Sequence, residues 1–125
     1  MTRKLLCACL VMLASATAPP FASPANAYFV DGNELLEHCS VAPSGDEFDR
    51  TVCLTYIMGA FDAHMFQRTA RNDPRCVPQT LSGGQLRELV VEYLRANPEN
   101  RAMDASALVW NAVLAEWPEC GLVSR

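Results

Sequence analysis

The chain runs to 125 residues, 50% of them hydrophobic, with 14 acidic against 10 basic side chains and a net charge of −4. That length sets one small domain. The acid excess argues against nucleic acid or an anionic membrane as a partner, since both repel a negative surface.

Arg3 and Lys4 give a charged start, residues 5–16 are apolar except for Ser15, and Ala25-Asn26-Ala27 is a small-x-small cleavage site. This three-part order predicts a secretory signal peptide over residues 1–27. Its apolar run is too short to span a bilayer, so no membrane association is expected after cleavage. Cys9 follows Ala8 near the start of the run rather than at its end, which argues against lipid attachment. The expected mature domain is residues 28–125, in an oxidising compartment outside the cytoplasm. It keeps eight arginines, no lysine and all fourteen acids, for a net charge of −6. Cys39, Cys53, Cys76 and Cys120 remain, and an even count in a small exported domain predicts two disulfides.

Helix starts are legible in chain order. Asp31 with Glu34, Ser44 with Glu47, and Ser82 with Gln85 each have the capping-box spacing, in which the first side chain accepts from a backbone N–H and the acid or amide reaches back. Asn97-Pro98 offers a fourth start, with proline at a position where its missing N–H costs nothing. In the second helix, Val52, Tyr56, Ala63 and Phe66 share a side, with Cys53, Ile57, Ala60 and His64 nearby. In the third, Leu86, Leu89, Val90, Tyr93 and Leu94 form a stripe opposite Arg87, Glu88, Glu92 and Arg95. The fourth, expected over residues 99–117, is apolar on nearly every side. That makes it the centre of the bundle or half of a subunit contact. Breaks fall at 42–45 and 72–80. No alternating run long enough for a strand is present, so the fold class is all-α, a four-helix disulfide-stapled bundle.

Four cysteines allow three pairings. The element order favours Cys39 with Cys53, which a short connection brings together between helices one and two. It also favours Cys76 with Cys120, which meet at the open end of an antiparallel hairpin of helices three and four.

Catalytic chemistry is hard to find. No nucleophile elbow, phosphate loop or HExxH is present, and nothing predicts a metal site or cofactor. His38 and His64 are the two histidines. A Cys39/His64 thiol catalyst or metal site is outweighed by oxidation of Cys39. Asp46, Glu47 and Asp49 sit at a helix start, where acids favour the dipole. Gly59 lies mid-helix, where glycine is unfavourable and a close helix approach would justify it. Asp62 either faces water or is buried against Arg101 as its cation.

An ordered set of residues carries a resemblance. It begins with Glu34-Leu-Leu-Glu-His-Cys39 and Cys53-Leu-Thr-Tyr-Ile-Met-Gly59-Ala-Phe-Asp62. It continues through Cys76-Val-Pro78, Gln85-Leu86, Val90-Val-Glu-Tyr-Leu94, Pro98, Arg101, Ala105 and Leu108-Val109, and closes with Trp117-Pro-Glu-Cys120. This set resembles the Rap/Tai family of type VI secretion amidase immunity proteins, over about residues 31–120. Glu119 departs from the family's usual Pro-Cys ending. The resemblance implies an exported helical protein, often a homodimer, that binds a peptidoglycan-cleaving amidase in the periplasm and blocks its active-site groove. It implies no enzyme activity. Toxin-contacting residues vary in that family and are not carried over. Exposed turns and rigid helix faces place the expected partner contacts at Glu92, Arg95, Asn97, Glu99 and Asn100. Gly59, Asp62 and Arg101 are expected to hold the fold.

The competing class is a small periplasmic chaperone of the acid-stress type, also short, helical and disulfide-linked. An acidic surface and two bridges weigh against it.

Overall fold

A computed structural model describes residues 28–40 and 45–122. The expected signal peptide, and Ser44 with it, lies outside the described residues. Four helices make the fold: α1 Gly32–Cys39, α2 Glu47–Ala70, α3 Gly83–Ala96 and α4 Ala105–Glu116. Among the described residues there is no strand, only an isolated antiparallel bridge between Asp31 and Asp104.

The helices start where side chains can take their orphan N–H groups. Asp31 accepts from Asn33 and Glu34 N–H, both at 2.9 Å, and opens α1. Ser82 and Gln85 form the full reciprocal box at α3. The second start is corrected: Asp46, not Ser44, caps α2, accepting from Phe48 N–H at 2.8 Å. The helix begins two residues later than a Ser44 cap would set it, and the Asp46 carboxylate takes the Phe48 N–H that this later start leaves open.

The fourth start is corrected by a larger amount. Asn97-Pro98 opens only a 3₁₀ turn, Pro98–Asn100, and α4 begins at Ala105 with Asp104 as its cap. The reason is competition for carbonyls. Gly32 N–H donates to Met103 O and Asn33 N–H to Arg101 O, both at 3.1 Å, while Ala105 N–H donates to Val30 O. The segment before α4 is thus stitched across the start of α1, so it cannot also continue as helix.

α4 is the centre of the bundle. Ala105, Leu108, Val109, Ala112 and Val113 are fully buried, and the helix packs on α1, α2 and α3. Its second apolar side (Trp110, Leu114 and the following Trp117) is half-buried against the same core. The buried side of α2 is Cys53, Ile57 and Arg68, which corrects the expected stripe. Phe66 and Ala63 face solvent. The large exposed apolar side chains include Phe48, Met58 and Phe66 of α2 and Met103 just before α4, and none lies on α4 itself. The stripe of α3 is as expected, with Leu86, Val90 and Leu94 buried, joined by Val91.

Both favoured disulfides are present, Cys39–Cys53 and Cys76–Cys120, with Cα atoms 5.0 and 5.1 Å apart. The first ties the end of α1 to the second turn of α2. The second closes the open end of the α3/α4 hairpin. In the chain-entropy account the wider 44-residue separation constrains the unfolded chain more than the 14-residue one. Removing Cys76 and Cys120 as an alanine pair should cost about 4 kcal/mol, and removing Cys39 and Cys53 about 3 kcal/mol, in urea denaturation.

Two glycines have opposite roles. Gly59 is exposed, and a Cβ there would meet nothing within 4 Å, so the expected close helix approach does not occur. Gly32 is buried at the stitched helix starts, and a Cβ there would run into the Leu108 side chain and come within 2.9 Å of Arg101 O. Gly59→Ala should therefore stabilise by about 1 kcal/mol. Gly32→Ala should destabilise, and thermal melts of the two variants will show opposite signs.

Candidate interaction surface

Three arginines fix the backbone around which the surface is built. Arg87 of α3 donates to Cys39 O at 2.7 Å, closing the carbonyl end of α1. Arg101 donates through Nε to Leu94 O at 2.6 Å and through its other branch to Arg95 O at 3.2 Å, closing α3. Each puts a cation where the helix dipole is negative and a donor where carbonyls lack partners. Arg68 is buried near the end of α2. Its guanidinium donates to Cys120 O, to Leu122 O at 3.5 Å and to Pro74 O at 3.1 Å, with Asp73 at 3.9 Å. One planar fork thus links the end of α2, the loop leading to Cys76 and the chain beyond α4. The loop itself leaves α2 through Asn72 at φ 59°. Asn72 N–H bonds Thr69 O and Asp73 N–H bonds Arg68 O, the arrangement of a helix ended by one left-handed residue.

Arg101 is therefore a helix closer rather than the partner of Asp62. Asp62 is exposed and faces water, which decides between its two expected environments. The histidines are also engaged. His38 Nδ1 lies 2.7 Å from Asp49 Oδ1, joining α1 to α2. His64 stacks on Trp110 with centroids 4.9 Å apart, and its Nε2 lies 3.3 Å from Ser106 O. Since Cys39 is bonded to Cys53, no Cys39/His64 thiol pair is formed. Among the described residues no group of three or more His, Cys, Asp and Glu could hold a metal ion. Burial pushes the Tyr56 phenol above its ordinary range, and the Asp104 carboxylate adds to that.

A concavity lies along α3 and the end of α4. An open hollow of about 370 Å³ has Leu81, Leu89 and Trp117 as its apolar floor and Glu88, Glu92 and Glu116 among its rim. A second hollow of about 200 Å³ adjoins it, sharing Leu89, Glu92 and Glu116 and reaching Tyr93 and Asn97. Together they form one groove. The Ser82/Gln85 box sets the start of α3, and the Cys76–Cys120 bond holds the chain entering α3 against the chain leaving α4.

The expected partner residues divide over this geometry. Glu92 and Asn97 line the groove, Asn97 with its amide donating to Tyr93 O at 2.8 Å. Arg95, Glu99 and Asn100 do not line it. Arg95 and Glu99 are exposed beside it, and Asn100 donates to Glu99 Oε1 at 3.4 Å. Sequence reasoning included Glu88 in the polar face of α3 but passed over Glu116 and Trp117 as part of the same surface. The pair Glu88/Glu92 is visible as a four-residue repeat, but Glu116 joins it only through the α3/α4 register. It also passed over Arg68, which has no local signal.

A family model described as Rap1a immunity proteins matches residues 31–120. No curated protein and no solved structure matches the chain.

Arg68→Met keeps much of the side-chain volume but leaves the carbonyls of Pro74, Cys120 and Leu122 without their shared donor. It should cost about 3 kcal/mol in urea denaturation. Arg68→Lys should recover only part of that, because an ammonium cannot span the three acceptors.

Proposed function

The chain belongs to the Rap1a immunity protein family, and from that premise we propose that it is exported to the periplasm, where it binds and inhibits a peptidoglycan-cleaving amidase toxin delivered by type VI secretion. The observation that carries this reading is the family match itself, which begins at the cap of α1 and ends at the last disulfide cysteine. It therefore covers the whole stapled bundle.

Other features support the same reading. The first 27 residues have the order of a secretory signal. Two disulfides suit an oxidising compartment. A scaffold cross-linked twice and closed by arginine clamps is already ordered before it meets a partner, which lowers the entropy lost on binding. Cys39, Cys53, Cys76, Cys120 and both histidines are engaged in holding the structure, and in this reading the protein acts by occupying the amidase rather than by altering a substrate. Pairing as a homodimer belongs to this reading. The exposed Phe48 and Phe66 of α2 are the apolar surface that a second copy would cover.

The test is protection. Cells that export a type VI peptidoglycan amidase, taken from a panel of such toxins, should lyse, and co-expression of the full chain should rescue them from at least one. Deleting residues 2–27 should remove the rescue while leaving the protein present in the cytoplasm. Purified protein should inhibit the same amidase on isolated peptidoglycan. Rescue without the leader, or no inhibition in the purified system, rules the proposal out.

A further inference from the structure

We infer that the α3/α4 groove is the surface that grips the toxin, and that its occupant is an arginine- or lysine-bearing loop of the partner protein. The inference rests on the immunity reading and adds to it where contact is made and the chemistry that makes it.

The argument starts from charges placed against their own electrostatics. Glu88 and Glu92 are four residues apart on α3, the spacing at which like charges on a helix repel. Glu116 is the last residue of α4, where the helix dipole disfavours an acid. All three are exposed, and no basic side chain lies within ion-pair distance of any of them among the described residues. Arg87 and Arg101 are committed elsewhere, to Cys39 O and to the end of α3, and Arg95, three residues after Glu92 on α3, is exposed and forms no ion pair with it.

Beneath the three carboxylates lies an apolar floor. Leu81, Leu89 and Trp117 are half-buried, so each keeps surface open to the groove. An aromatic platform under an anionic rim is what a long cationic side chain needs. The aliphatic stem lies along Leu89 and Trp117, the cation meets the indole face, and the head group reaches the carboxylates. A tryptophan in a pocket ringed by polar groups has the make-up of a binding hot spot. The two adjoining hollows make the site longer than one side chain, which fits an extended loop. The net charge of −6 over residues 28–125 draws a basic partner to the same face.

The test measures binding of the amidase against which the full chain protects to the native protein and to three variants. The first combines Glu88→Gln, Glu92→Gln and Glu116→Gln. The second is Trp117→Ala. The third combines Glu34→Gln, Glu37→Gln and Glu47→Gln, which removes equal charge from α1 and the start of α2, outside the groove. The groove triple variant should bind about tenfold or more weakly, with a shallower salt dependence, while the charge-matched control stays close to native. Trp117→Ala should also weaken binding, and unchanged circular dichroism will show that the variants fold. In a Trp110→Phe background, an Arg-Leu-Arg-Leu peptide should shift the Trp117 emission, and the same peptide with glutamate for arginine should not.

Undiminished binding by the groove variant, or equal weakening of groove and control variants, overturns this inference and leaves the immunity reading standing. No binding by the native chain overturns both. Self-association of the native chain that the groove variant abolishes would make a second copy the occupant, and would overturn the inference as well.

Discussion

A helix apolar on almost every side has to be covered, and in this chain that helix is α4. It is twelve residues long, too short to be stable alone in water. Its stability comes from burial of Leu108, Val109, Ala112 and Val113 under α1, α2 and α3. The other elements are arranged to provide that cover. α3 runs back along α4 as a hairpin, α1 crosses its start, and α2 closes the remaining side with His64 laid flat on Trp110. The wall of glutamates, the tryptophan floor and the register between α3 and α4 all follow from that one burial.

A domain of this size cannot rely on apolar burial alone. The disulfides supply part of the remainder by restricting the unfolded chain. The arginines supply another part. Lysine is absent after residue 4, and in three places arginine donates to backbone carbonyls that the helices leave open. A guanidinium can serve several acceptors from one rigid plane, and an ammonium cannot match that geometry. Arg68 carries the most, since Pro74, Cys120 and Leu122 lie on separate stretches of chain. At positions 68, 87 and 101 the carbonyl geometry gives that use a specific form.

These devices share a functional consequence. They engage side chains with reactive or mobile chemistry: the cysteines are bonded to one another, His38 meets Asp49, and Arg101 is spent on α3. Among the charges left without an ion pair are those of the acidic rim along α3 and α4, set on a cross-linked backbone. For a protein whose family works as an immunity factor, rigidity beneath an unsatisfied surface favours tight binding, because little freedom remains to be lost on contact.

The sequence by itself determined what depends on neighbours a few residues away. The caps at Asp31 and Ser82, the stripe of α3, the all-helical class and the two cysteine pairings could be read from spacing, because their physics is local or follows from element order. The family resemblance could be read for a similar reason, from an ordered set of fold-holding residues. Tertiary structure decided the rest. Asn97-Pro98 is as good a helix start as Asp104 in local terms. It loses because the carbonyls of Arg101 and Met103 are taken by Asn33 and Gly32, about seventy residues away in the chain. Phe66 could belong to either side of α2 until the bundle placed Arg68 inside. Gly59 gave a stronger sequence signal than Gly32, yet only Gly32 is pressed by a neighbour, since that pressure comes from Leu108 across the bundle. The groove exists only because two helices lie side by side in one register, and no stretch of sequence contains it.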